Sequence, residues 1–447
     1  MKRRWVFVIL ALVIAATVFS RKRRSTGFEL GVWLTADVRG RLVPCGCFTG
    51  QLGGLTRIAT RLGAADQATL RLDAGDALEG PEDFRRIQLG YIHQAFEKIG
   101  YAAANVGHRE AQLSAAELRT LGAQSTVPFI SANLLDATSG TPLLKTHTIT
   151  QRGGWRIGIV GVLDESIPAD ELGTGLRVER MATSIGQLLP ALKKDADFLV
   201  LLAFTNQERL RSLAREFPEF CLVLGGKVTE PSQQLAMEGK TGVLFVTNQS
   251  KALGQATLVL DAPCEATVKS GGVMLVQTDI AESPEILRLA ERYREEIRTT
   301  KLALDDPNRA SADSVPGIRA APSYAGSAAC ATCHVKANAL WKRTGHAEAF
   351  QALTARKADA DPNCIGCHTI GFQKAGGYRR EFGASKLTDV GCESCHGPAS
   401  RHIERVTAGD VEGGRLRKVG AADCATCHHG EFSRPFSWPD FWPLIQH

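Results

Sequence analysis

The chain has 447 residues, of which 44% are hydrophobic and 22% charged, with a formal net charge of +6. That length exceeds one typical domain, so two are expected, and the balance of apolar to charged residues excludes a disordered chain. The small positive excess is too weak to argue for binding to nucleic acid, and none is expected as a partner.

At the N-terminus, Lys2, Arg3 and Arg4 precede an apolar run from Trp5 to Phe19, and Arg21-Lys22-Arg23-Arg24 follows. A basic flank and a short apolar core make an export signal, too short for an ordinary spanning helix. Residues 1–26 are therefore read as a signal peptide or N-terminal anchor. Cleavage after Ala15 or Ser20 and retention as a membrane tether both remain open. Either way the body is expected outside the cytoplasm: periplasmic, anchored at the inner membrane, or on the outer surface.

Residues 27–283 alternate short apolar runs with amphipathic stretches. The runs predict strands over Leu30–Thr35, Thr69–Asp73, Ala102–Val106, Phe129–Ala132, Arg156–Val162, Phe198–Ala203, Cys221–Leu224, Gly242–Thr247 and Ala256–Leu260. Helices are predicted between them, over Asp83–Ile99, Ser114–Leu121, Ser184–Lys194 and Gln207–Glu216. Such alternation argues for an α/β layered domain around a buried sheet. Residues 284–322 read as a charged helix from Pro284 to about Leu304 and a linker rich in Asp, Ala, Ser and Pro.

Residues 323–447 carry one pentapeptide four times: Cys330-Ala-Thr-Cys333-His334, Cys364-Ile-Gly-Cys367-His368, Cys392-Glu-Ser-Cys395-His396 and Cys424-Ala-Thr-Cys427-His428. Cys-x-x-Cys-His is the attachment signature of c-type haem, two thiols taking the porphyrin vinyl groups and the adjacent imidazole the iron. Zinc knuckles would not require His after the second Cys each time. Four c-type haems are expected, with His334, His368, His396 and His428 as proximal ligands. The motifs begin 34, 28 and 32 residues apart. So thin a chain cannot wrap four porphyrins separately, and a mostly α, haem-packed shell is expected.

Sixth ligands are scarce. Met1, Met181, Met237 and Met274 all precede this region, so His/Met ligation is not expected. The histidines outside the motifs are His346, His402, His429 and His447. His346 and His402 are the stronger candidates. His429 adjoins His428 and would serve only another iron, and His447 is the last residue. Four bis-His haems and a haem with an open sixth position both remain open at this point.

The segment Tyr324-Ala-Gly-Ser327, Trp341 to His346, Cys364-Ile-Gly-Cys-His-Thr-Ile-Gly-Phe372 and Val390-Gly-Cys-Glu-Ser-Cys-His-Gly-Pro398 with His402 resembles the cytochrome c-554 family. Its members are tetrahaem electron carriers, and similar modules occur in anaerobic respiratory proteins. The resemblance implies that His346 and His402 are distal ligands and that one haem lacks a sixth protein ligand.

The front domain resembles the metallophosphoesterase, or 5′-nucleotidase, superfamily at Thr35-Ala-Asp37-Val-Arg39-Gly40, Leu72-Asp-Ala-Gly-Asp76, Asn105-Val-Gly-His108-Arg109-Glu110 and Gly225-Gly-Lys227-Val-Thr229. In active members these stretches build a two-metal centre that clamps a phosphoryl displacement. Asp37 and Asp76 match the pattern. Arg39 stands for the first His, His108-Arg109 for Asn-His, Thr205 or Asn206 for a strand-end His, and Lys227 and Thr229 for the paired histidines. Cationic side chains there should repel metal, and Asp37 and Asp76 are expected to pair with Arg39 or Arg109. Phosphoesterase activity is not expected. Cys45 and Cys47 could form disulfides with Cys221 and Cys264, the default in an exported protein, or serve a metal or redox role. His93 and His147 read as ordinary helix and strand residues.

Together these features predict an exported electron carrier with mainly bis-His haems, passing electrons between redox partner proteins in a respiratory chain. An oxidoreductase acting on a small nitrogen or sulfur species at an open haem is the rival, and a tethered phosphoester hydrolase a weaker one.

Overall fold

The computed structural model describes residues 26–44, 52–63, 66, 68–247, 249–306, 323–380, 385–429 and 435–447. The strands are β1 (Phe28–Thr35), β2 (Thr69–Asp73), β3 (Ala103–Asn105), β4 (Phe129–Ile130), β5 (Leu134–Asp136), β6 (His147–Arg152), β7 (Trp155–Leu163), β8 (Leu176–Val178), β9 (Phe198–Phe204), β10 (Phe220–Gly226), β11 (Ala236–Glu238), β12 (Thr241–Phe245), β13 (Ala252–Ala262) and β14 (Glu265–Leu275). The longer helices are α1 (Leu55–Leu62), α2 (Asp83–Ile99), α3 (Ala115–Gln124), α4 (Met181–Asp195), α5 (Gln207–Glu216) and α6 (Pro284–Thr299). Short ones follow: α7 (Ser327–Ala331), α8 (Val335–Trp341), α9 (Ala349–Thr354), α10 (Pro362–His368), α11 (Cys392–His396), α12 (Ser400–Thr407), α13 (Ala421–Ala425) and α14 (Trp438–Phe441). Among the described residues no helix is long and apolar enough to cross a membrane.

The chain divides into two compact units, one comprising the stretch up to Arg39 with Leu62–Ala77 and Phe96–Met274, the other Gly40–Arg61, Leu78–Ala95 and Leu275–His447. Helix α6 buries a stripe of Ile286, Leu289, Ala290, Tyr293 and Ile297 at helical spacing. Tyr91 meets Tyr293 edge-on at 5.8 Å and donates a hydrogen bond to Glu296 (2.7 Å).

The first unit holds two six-stranded sheets, ordered β14-β13-β1-β2-β3-β4 and β11-β12-β10-β9-β7-β6. Strands β1 to β4 are mutually parallel, as are β7, β9, β10 and β12. Their inner faces meet in one core that includes Val32, Leu34, Leu72, Ile157, Val200, Leu224 and Leu258. A second core packs α4 and α5 on the far face of the second sheet through Ile185, Leu192, Leu210 and Leu213. Covered on both faces, β9 is buried throughout as Phe-Leu-Val-Leu-Leu-Ala-Phe, the continuous apolar run a parallel central strand requires. Ser114 and Glu117 cap α3 reciprocally, and Asn206 caps α5 by accepting from Arg209 N.

Five strands, β5, β8, β11 and the two hairpin strands β6 and β14, have no counterpart among the predicted runs. β6 pairs with β7 across Gly153-Gly154, both with positive φ, as a two-residue turn demands. β14 is a polar partner of β13 with little buried surface. Neither carries the apolar run that marked the predicted strands.

In the second unit, Tyr324, Leu353, Ile365, Ile370, Tyr378 and Leu387 form a small core. Arg380 is buried beside it. Its guanidinium reaches both carboxylate oxygens of buried Asp305 (2.9 and 2.7 Å) and the carbonyls of Ile297, Thr300 and Ala360. The end of α6 is thereby joined to the motif-bearing region.

Candidate functional sites

The four pentapeptides lie on or beside short helices: the first closes α7, the second ends α10, the third is α11 and the fourth closes α13. Helical geometry places the two thiols of each motif about one turn apart with His next in line. Non-motif histidines come from elsewhere in the same unit and face the motif imidazoles. His402 on α12 faces His334, with ring centres 5.9 Å apart. His346 faces His428 at 6.0 Å, and His447 faces His396 at 5.9 Å. Two metal–nitrogen bonds of about 2 Å, each extended by about 1.1 Å to the ring centre, separate two axial imidazoles by about 6.2 Å. The three pairs thus fit an iron between them.

His368 differs. Among the described residues no imidazole faces it, and its Nδ1 lies 2.5 Å from Ala349 O. His429 is exposed next to His428. The terminal residue His447, rather than His429, supplies the third facing ring.

Carbonyl oxygens hold the rings. Nδ1 of His402 meets Gly414 O (2.7 Å), that of His396 meets Arg417 O (3.4 Å) and that of His447 meets Ile445 O (2.9 Å). A carbonyl only accepts, so the proton sits on Nδ1 and leaves Nε2 for a metal. Burial lowers the pKa of His346 and His396, which favours the neutral, ligating form. Thiols of different motifs also touch. Cys330 donates to Cys392 and Cys367 to Cys427, each bond pulling its acceptor down to about 6.

One residue between the third motif's cysteines has a role that sequence reasoning missed. Glu393 is buried, and its carboxylate accepts from Ala325 N (2.9 Å), Gly326 N (2.7 Å) and Ala399 N (2.7 Å). Cys392 N donates to Ser327 Oγ (3.3 Å), and Trp341 Nε1 to Val390 O (2.9 Å). The third motif is thereby tied to the segment that opens the first. A Glu within a Cys-x-x-Cys-His motif, beside Gly-Pro, was the available signal.

In the first unit a cavity of about 350 Å³ opens at the C-terminal ends of the parallel strands, where α/β sheets bind ligands. Asp37, Arg39, Asp76, His108, Arg109, Phe204, Lys227, Val228, Thr229 and Thr247 line it, with Gln112. Asp37, Arg39, Asp76 and Lys227 have φ of 58°, 45°, 57° and 57°, a left-handed strain usual at functional loops. Gly107 is required there, because a Cβ would lie 2.1 Å from Asp76 N.

The acidic residues are taken up by cations. Arg39 Nε binds Asp37 Oδ1 (2.5 Å), and Thr247 donates to Asp37 Oδ2 (2.9 Å). Arg109 meets Asp76 Oδ2 (3.3 Å) and its amide donates to Asp76 Oδ1 (2.8 Å). The expected pairing of Asp37 and Asp76 with Arg39 and Arg109 is thus seen. Lys227 Nζ binds Asp164 Oδ2 (2.8 Å), which also accepts from Thr205 (3.1 Å), while Asn206 caps α5. His108 Nε2 lies 2.7 Å from Glu171. Burial, then nearby Glu110, holds the Asp76 pKa well above the usual carboxylate range. Burial also pushes Asp164 upward, yet bonds from Lys227 and Ser166 hold it below that range.

Cys221 and Cys264 are free thiols. Cys221 donates to Leu199 O (3.1 Å), and burial pushes it up to about 12. Cys45 and Cys47, and the N-terminal segment 1–25, lie outside the described residues. His93 is buried in α2, and His147 opens β6.

Residues 329–397 match the family described as cytochrome c554 and c-prime. Cytochrome c-554 of Nitrosomonas europaea is 40% identical over 90 residues, covering 17% of this chain and 38% of that protein. A 5′-nucleotidase of Diplobatis ommata is 24% identical over 307 residues, covering 61% of this chain and 53% of that one. The chain thus spans about half or less of the length of these curated relatives. The calcineurin-like phosphoesterase YfkN from Bacillus subtilis superposes with a TM-score of 0.51 at 18% identity, covering 60% of this chain and 97% of that one. The C-terminal region is therefore helical and similar to cytochrome c554, and the front two-thirds has the α/β calcineurin-like phosphoesterase fold.

Proposed function

We propose that this chain is an exported electron-transfer protein with four c-type haems, one at each Cys-x-x-Cys-His motif. His334 with His402, His428 with His346 and His396 with His447 would grip three of them, and His368 alone the fourth. The observation that carries this reading is the set of three facing imidazole pairs, each joining one motif histidine to one outside the motifs. Bound haem iron supplies a one-electron ferric–ferrous couple, and its bis-His ligation gives a low potential.

The protein's share is to orient ligands. Backbone carbonyls fix the rings of His396, His402, His447 and His368 through Nδ1, so each presents Nε2 without reorganisation. Thiol contacts between the first and third motifs and between the second and fourth support close packing of the attached groups. Such packing suits relay between redox partner proteins of a respiratory chain. Export follows from the N-terminal signal pattern, with the body in the periplasm and the N-terminal segment cleaved or kept as a tether.

A redox titration of the purified full chain, followed by optical and low-temperature EPR spectra, tests this. The expected outcome is four haems per chain, about three low-spin with low potentials. A colourless protein, or a mass close to the bare polypeptide, overturns it.

The lone His368 favours a second reading, in which a small nitrogen or sulfur species reacts at the haem it holds. A high-spin ferric signal that shifts on adding nitrite or nitric oxide, with turnover, would support that reading. Binding without turnover leaves the carrier function alone.

The two-metal centre of the phosphoesterase fold does not fit these residues. Arg39, Arg109 and Lys227 take up the carboxylates that would hold cations, and their charge opposes metal. No hydrolytic step is assigned to the front unit.

A further inference from the structure

We infer that the cavity at the strand ends of the first unit is a metal-free receptor for a small tetrahedral oxyanion of the phosphate or sulfate class. The inference is independent of the haem assignment.

Three ion pairs ring the cavity, and all have the same polarity. Arg39, Arg109 and Lys227 are about 30% exposed, whereas their partners Asp37, Asp76 and Asp164 are nearly inaccessible, at 6–7%. The carboxylates lie behind and the cations in front. A ligand in the cavity therefore meets cationic donors first. The cations come from three separate loops, after β1, β3 and β10. They surround the space from different directions, which suits an anion with several equivalent oxygens better than a single planar carboxylate.

Donor capacity remains on these side chains. Arg39 uses Nε on Asp37, and among the described residues its two terminal nitrogens meet no acceptor. Lys227 gives one of three donors to Asp164. Thr229 adds a hydroxyl at the wall. Phe204 and Val228 form an apolar side, and a volume of about 350 Å³ leaves room for a small organic group on the anion. The strained backbone at Arg39 and Lys227 aims two of the cations at this space, and such strain clusters at ligand clamps.

The sequence resemblance places a two-metal centre at this position. Here guanidinium and ammonium groups take over the charge that metals would supply. Their counter-charges come from within the chain, so the site needs no bound metal to be assembled.

The test is calorimetric titration of the full-length haem-loaded protein with inorganic phosphate in the presence of EDTA, with sulfate as competitor. One phosphate per chain is expected, displaced by sulfate and indifferent to EDTA. Arg39→Gln and Lys227→Gln should each weaken binding about 10-fold or more, as loss of a charge-assisted contact does. Asp37→Asn should strengthen it, because a cation loses its counter-charge, whereas a metal site would be weakened by the same change. Circular dichroism and thermal melts establish that each variant is folded, and a phosphate-dependent rise in Tm supplies a second readout. No binding, binding abolished by EDTA, or unchanged binding in both Arg39→Gln and Lys227→Gln overturns the inference. An adventitious surface ion would give that last result.

Discussion

Replacing His402 by alanine isolates one axial position. His402 faces His334 at 5.9 Å, and its Nδ1 is held by Gly414 O. Three motif histidines have an imidazole opposite them, and His368 has none among the described residues. With one iron per motif, about a quarter of the ferric iron should be high-spin in the unaltered protein. His402→Ala leaves His334 without a partner and should raise that share to about half. His368 and the other two pairs are untouched, so no further redistribution is expected. Low-temperature EPR of the oxidised protein, with the high-spin signal integrated against total haem, measures this directly. His402→Met should instead stay low-spin at a higher potential, which separates loss of a ligand from loss of fold. A high-spin share that does not change in His402→Ala would refute the pairing, and a doubled share in His429→Ala would reassign the distal ligand.

Three further perturbations test the packing. Burial lowers His93 to about 4 from its ordinary value of 6.5. Between those pH values the unfolded chain binds a proton that the native one does not, so stability falls as pH drops from 7 to 4, by about 3 kcal/mol from this residue. Urea unfolding of His93→Leu should lack that share of the acid loss, and an identical pH profile would contradict it. Arg380→Ala strands a buried Asp305 and three carbonyls and should cost about 3–5 kcal/mol in denaturant unfolding; a loss below about 1 kcal/mol would show that water replaces the guanidinium. Glu393→Ala removes an acceptor shared by three backbone amides and should lower stability by roughly 3 kcal/mol. Melting of Glu393→Ala at the unaltered Tm would count against that role.

Local chemistry was legible wherever it depends on contiguous residues. Cys-x-x-Cys-His is a covalent specification within five positions, and no tertiary contact is needed to read it. The buried strands were legible for a similar reason: β9 is apolar throughout because both of its faces are covered, and β2 keeps its predicted bounds with Leu70 and Leu72 buried. Helix α2 was marked by its period. The polar strands β6 and β14 were not, since strands with little buried surface need no apolar pattern.

Partnership across the chain belonged to the tertiary structure. Composition narrowed the candidates to face the motif histidines to four, but only folding brings His447 against His396. The same holds for Asp164, which no motif singled out and which neutralises Lys227 from another loop. Sequence specifies bonding capacity at each residue; which capacities meet depends on distances set by sheets and helices far apart in the chain.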